Sequence, residues 1–129
     1  MRFVFILALF ATLAVPLSAQ DFDKWLLAAQ RGDSAIALKG WRPLAEARNP
    51  VAQKNLGLMY YNGDGVGKDD KEAAYWYRLA AEQGDADAQY GLALIYEKGQ
   101  GSTQDHKQAI TWYKLAAEQG HADAQKIWV

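Results

Sequence analysis

The chain has 129 residues, half of them hydrophobic and 22% charged, with 14 Lys and Arg against 15 Asp and Glu. This is the composition of one small folded domain rather than a disordered tail, and a formal net charge of -1 offers no basic excess to nucleic-acid phosphates or an anionic bilayer. Cysteine is absent, which excludes disulfides, thiolate metal sites and cysteine nucleophiles and leaves packing alone to hold the fold.

The first nineteen residues read as a secretory leader. Arg2 supplies one positive charge, residues 3–15 are apolar apart from Thr12, and Pro16, Leu17, Ser18 and Ala19 precede the polar pair Gln20 and Asp21. The apolar run falls short of the ~20 residues a membrane span needs, and Pro16 interrupts it as a helix. Cleavage is expected after Ala19. The product is expected to be periplasmic or secreted, slightly acidic and without a stable membrane span.

Beyond the leader the chain repeats itself at an offset of 36, with 20 of 36 positions identical when 53–88 is laid over 89–124. Such a period signals units that stack because none buries its own apolar face alone. The expected organisation of 20–129 is a degenerate pair at about 21–48, repeats at 49–84 and 85–120, and a terminal half-repeat at 121–129.

In chain order, residues 22–30 form a first helix capped by Asp21 and stopped before Gly32. Residues 34–47 form a degenerate second helix, in which Trp41 falls in register with Tyr77. The next first helix is capped by Asn49 and opened by Pro50, with Ala52, Gln53, Leu56, Gly57 and Tyr60 on its packed side. A mid-helix glycine costs about 1 kcal/mol relative to alanine, so Gly57 is expected to permit a close backbone approach. Two loops, 62–68 and 98–104, carry glycine at matched places, Gly63 with Gly99 and Gly65 with Gly101, and these are expected at positive φ. The following helices open on Asp69 with Glu72 and on Asp105 with Gln108, each pair read as a reciprocal capping box. Their buried sides are Ala73, Trp76, Tyr77, Ala80 and Ala81, and correspondingly Ala109, Trp112, Tyr113, Ala116 and Ala117; Gly84 and Gly120 end them in a left-handed turn. Small residues bring helix axes close while indole and phenol fill the wedge between pairs. Residues 122–129 begin another first helix, with Trp128 in register with Leu92.

The pattern Ala-x-Ala-Gln-x-x-Leu, Tyr, Gly-x-Gly, Asp, Ala-x-x-Trp-Tyr-x-x-Ala-Ala-Glu-Gln-Gly resembles the Sel1-like repeat, a relative of the tetratricopeptide repeat. The resemblance covers about 34–129, and Gly63, Gly65, Asp69, Ala73, Trp76, Tyr77, Ala80, Ala81 and Gly84 stand where that motif has them. Ala93 stands where glycine is usual and Ser102 where valine is. The resemblance implies an all-α fold, an α/α right-handed superhelical solenoid that holds other proteins, often in bacterial envelope assembly, signalling or host contact. A cysteine-rich branch of that family is linked to β-lactam or peptidoglycan chemistry; this chain has no cysteine.

Chemical motifs are weak. Residues 63–68 superficially resemble a phosphate loop, but Asn62 takes the first glycine position, Asp69 replaces the required Ser or Thr, and no strand precedes them. A calcium loop counted from Asn62 needs an acid where Ala73 stands. His106 and His121 are isolated from each other and read as solvated surface residues, so no metal and no cofactor is assigned. Ser34 and Ser102, the serines outside the leader, lie in no hydrolase motif, so no catalytic residue is named.

What remains is the side of each first helix opposite its packed face: Lys54, Asn55, Leu58, Tyr61 and Asn62, then Tyr90, Gly91, Leu94, Glu97 and Lys98, with Lys126 in the last. Apolar and phenolic groups there either pack between adjacent first helices or line a groove for a peptide or partner helix. The candidate partner-binding residues are Lys54, Asn55, Leu58, Tyr61, Tyr90, Leu94 and Glu97. The expected function is a non-catalytic protein-binding module of the bacterial envelope. The alternatives are an enzyme or enzyme modulator acting on cell-wall or carbohydrate substrate, for which two carboxylates must converge on that groove, and a secreted host-interacting effector.

Overall fold

The structure, a computed structural model, describes residues 19–99 and 105–128. The leader up to residue 18 and the stretch 100–104, including Gly101 and Ser102, lie outside the described residues. Within them are seven helices and no strand: α1 Ala19–Gln30, α2 Ser34–Glu46, α3 Pro50–Asn62, α4 Asp70–Glu82, α5 Ala86–Lys98, α6 His106–Glu118 and α7 Ala122–Trp128. Each packs on its neighbours in sequence, and α3 also touches α5, the next first helix along. This is a solenoid of helix pairs.

Helix boundaries follow the local chemistry. The Asn49 side chain accepts from the Ala52 amide at 3.1 Å with Pro50 at the first helical position, and Asp85 caps α5 in the same way through Ala88. Gly63 and Gly99 close α3 and α5 at φ +75° and +71°, and Gly84 and Gly120 follow α4 and α6 at +98° and +93°. Asp69 accepts from the amides of Lys71 and Glu72, and Asp105 from that of Gln108. The reciprocal half of the expected capping box is replaced. The Asp69 and Asp105 amides donate instead to the Tyr60 and Tyr96 carbonyls, both at 2.9 Å, so the loops are tied back onto the first helices. Asp21 also differs from expectation: α1 already begins at Ala19, which places Asp21 inside its first turn rather than at its cap.

Alanines and aromatic residues make the core. Ala37, Trp41, Leu44, Ala52, Leu56, Met59 and Trp76 form one cluster, and Ala73, Tyr77, Ala80, Ala88, Leu92 and Ile95 the next. Trp112 is half-buried, unlike Trp76, and packs with Tyr113 around Ala93 and Ala109. Gly40 makes room for the Trp25 ring, which meets Trp41 edge-on at 6.1 Å. The side chain of Trp128 lies outside the described residues.

Two buried glutamines stitch successive pairs together. Gln53 donates to the Ala45 carbonyl at 3.1 Å and accepts from Gln83 at 2.7 Å. One repeat later, Gln89 donates to Ala81 and accepts from Gln119 at 3.2 and 2.8 Å. Each thereby satisfies a carbonyl at the end of the preceding second helix, where intrahelical donors run out.

Candidate partner-binding cleft

The first helices α3 and α5 and the start of α7 enclose a cleft of about 370 Å³. Lys54, Asn55, Leu58, Tyr61 and Asn62 reach it from α3, and Asp87, Tyr90, Gly91 and Leu94 from α5. Asn55 and Leu58 also line a smaller hollow of about 120 Å³ that runs on to Leu26 of α1, so a furrow crosses three successive first helices. Leu58 is 47% exposed within it and contributes to no core cluster, whereas Leu94 is half-buried against Ala93, Ala109 and Tyr113. Leu94 thus packs toward the second helix α6 rather than between adjacent first helices, and both leucines line the cleft.

Glu97 does not line the cleft. It accepts the Tyr113 hydroxyl, which burial and this carboxylate together hold protonated well above the usual tyrosine value. Lys98 and Lys126 also lie outside the lining. Lys68 borders the cleft: its ammonium sits 4.9 Å from the centre of the Tyr61 ring and bonds the Tyr61 carbonyl and Asp70.

Three contributions were not visible in the residue pattern. His121 is not a solvated surface histidine; its side chain is 13% exposed. Its Nδ1 accepts from the Ala124 amide at 3.2 Å and so caps α7, its Nε2 lies 3.2 Å from Asp87 Oδ1, and its ring stacks on Tyr90 at 4.5 Å. It occupies the cap position that Asn49 and Asp85 fill upstream, which is the signal that its role is capping. Asp87 is the second. Its other oxygen accepts from Lys54 at 3.2 Å, so Lys54, Asp87 and His121 bridge three successive units across the cleft. Asp87 is the one carboxylate among the lining residues, so no acid pair converges there.

Tyr77 is the third. It sits on α4, in the second-helix layer, and is 5% exposed, yet it lines the cleft. A Cβ on Gly57 would lie 2.8 Å from its Cδ1, and one on Gly91 2.9 Å from its Cζ. The two glycines therefore form a window between α3 and α5 through which the phenol passes. The close approach at Gly57 is to this ring, not to backbone. Burial raises the Tyr77 phenol above the ordinary tyrosine value, with Tyr61 and Asp87 acting in the same direction. Burial also raises Tyr90, helped by Asp123 and Glu97.

A second hollow, of about 470 Å³, lies between the end of α2 and α4 and is lined by Glu46, Arg48, Tyr75, Trp76, Glu82 and Gln83 among others. Arg48 holds φ +73° at the position that Gly84 and Gly120 occupy in the following repeats. Among the described residues no helix is long and apolar enough to cross a membrane, and no three of His, Asp and Glu gather as a metal site.

Stacked helix pairs with a furrow along their first helices define a helical-repeat solenoid, a fold that generally serves as a protein–protein interaction module. The Sel1 repeat family model matches residues 50–85 and 86–121, and the chain belongs to the Sel1 repeat family. Among solved structures, a Sel1 repeat protein from Oxalobacter formigenes is similar over 81% of this chain and 43% of its own, at 37% identity and TM-score 0.78. A protective antigen present in uropathogenic Escherichia coli strains, with an SLR fold, is similar over 81% of this chain and 24% of its own, at 35% identity and TM-score 0.73. Cysteine-rich protein B of Helicobacter pylori shares the fold at 23% identity and TM-score 0.67, over 84% of this chain and 92% of its own. The chain thus spans less than half the length of the first two. No curated protein matches it.

Proposed function

We propose that the protein is an exported, non-catalytic adaptor of the bacterial envelope that holds a peptide segment of a partner protein in the furrow over α1, α3 and α5. The observation that carries this reading is Leu58. It is a large apolar side chain left half-exposed in the middle of a furrow shared by successive units, where packing does not require it. Tyr61 and Tyr90 beside it offer broad contact area with polar tips. Export rests on the leader-like first nineteen residues, and the bacterial antigen among the similar structures is in keeping with a surface or envelope role. The test is capture of envelope proteins by the immobilised protein, followed by mass spectrometry, for the parent and for Leu58→Asp and Tyr61→Ser. Leu58→Asp is expected to keep the parent melting temperature within a few degrees and Tyr61→Ser, which also removes packing against the core cluster around Ala73 and Ile95, to melt somewhat lower while still folded, and both are expected to lose the same captured partner. Undiminished capture by both variants rejects the furrow as the binding site.

A further inference from the structure

Tyr77 and Tyr113 occupy equivalent positions in consecutive repeats, yet their hydroxyls end differently. Tyr113 donates to the carboxylate of Glu97, and the residue equivalent to Glu97 one repeat earlier is Tyr61, which carries no carboxylate. Among the described residues none hydrogen-bonds the Tyr77 hydroxyl. Asp87 is near enough to influence the phenol, but its two oxygens are engaged by Lys54 and His121. The Tyr77 ring is 95% removed from solvent and its tip emerges beside Gly91, in the wall of the cleft. The buried side-chain atoms left without a partner among the described residues are the Trp76 and Trp112 indole nitrogens, not this hydroxyl, so its oxygen opens onto the cleft, where an arriving acceptor takes the place of water and a charged one bonds it more strongly than water does. Desolvation keeps this phenol protonated, and therefore a donor, throughout the physiological range.

From this juxtaposition we infer that Tyr77 is a specificity-determining residue of the cleft, donating its hydroxyl through the window between Gly57 and Gly91 to an acidic side chain of the bound peptide. The neighbouring repeat supplies the internal precedent: there the chain itself places a glutamate side chain against the equivalent phenol. Lys54 and Asp87 in the same wall pair with each other, so the acidic preference is carried by the phenol rather than by net cleft charge. The proposal rests on the furrow being the peptide site, and the experiment separates the two.

The probe is a phage-displayed library of random twelve-residue peptides, selected on the parent protein, on Tyr77→Phe, on Tyr61→Glu and on Leu58→Asp. Parent-selected peptides are expected to carry Asp or Glu at a fixed place, and Tyr77→Phe, which keeps the ring in its window, is expected to lose that preference while melting as the parent does. Replacing the peptide's acid by its amide should weaken calorimetric binding to the parent about tenfold and binding to Tyr77→Phe hardly at all. Tyr61→Glu should engage Tyr77 internally, as Glu97 engages Tyr113, and so remove the acidic preference as well. Peptides that bind in a Leu58-dependent manner without an acidic position overturn this inference and leave the furrow intact. The same holds for peptides whose only required carboxylate is their free C-terminus, and for an acidic preference that survives in Tyr77→Phe. Peptides indifferent to Leu58→Asp, or no selected peptides at all, overturn the furrow reading itself.

Discussion

Replacing Gln89 by leucine, a side chain of similar volume, tests whether the amide stitches between units stabilise the array beyond simple packing. Gln89 is 4% exposed and makes two hydrogen bonds, donating to the Ala81 carbonyl and accepting from Gln119. Each such bond contributes about 1 kcal/mol net. The Ala81 carbonyl keeps a bond from the Gly84 amide, and Gln119 is exposed enough to rehydrate, so neither is left wholly orphaned. The expected loss is therefore about 2 kcal/mol rather than the larger penalty of a bare buried group, equivalent to a fall in melting temperature of roughly 10 °C for a domain of this size. Gln125→Leu is the internal control. Gln125 is exposed, and among the described residues its side chain bonds only the Ala117 carbonyl, so its replacement should cost well under 1 kcal/mol. Urea unfolding followed by circular dichroism measures both. If Gln89→Leu is as stable as the parent, or falls no further than Gln125→Leu, the stitches are incidental and apolar contact alone holds the pairs together.

Two further outcomes follow from the same geometry. Above pH 10 the unfolded chain loses its tyrosine protons while buried Tyr77 and Tyr113 keep theirs, so the contribution of these two to stability should be constant below that pH and fall above it, by about 1.4 kcal/mol per pH unit for each; replacing both with Phe should make the alkaline limb shallower, and an unchanged limb contradicts their burial. Gly65 and Gly84 share positive φ, but a Cβ on Gly65 would lie 2.4 Å from Ser34 Cβ whereas one on Gly84 meets nothing within 4 Å. Gly84→Ala should therefore cost about 1 kcal/mol of backbone strain and Gly65→Ala distinctly more; equal losses in thermal melts would show that the loop does not press on α2.

The residue pattern already contained most of the architecture because each determinant is local. Asn49, Asp69 and Asp105 cap helices through amides two or three residues away, and Gly63, Gly84, Gly99 and Gly120 adopt the left-handed conformation that ends a helix. The repeated alanines and aromatics mark a packed face by spacing alone. Most of the furrow lining was legible in the same way, since Leu58, Tyr61 and Tyr90 lie opposite that face on a helical wheel. Glu97 was misplaced because a wheel has no partner on it: Tyr113, from another helix, takes the carboxylate away from the furrow.

What the sequence determined by itself was the repeat, its helices and their packed faces, since these depend on contacts within one turn or between identical units. Only the tertiary structure decided that Tyr77 reaches the cleft from behind and that His121, Asp87 and Lys54 bridge three units. Gly57 and Gly91 stand 34 residues apart, off the 36-residue repeat register, so their joint effect appears only when α3 and α5 lie side by side and a ring from α4 must pass between them.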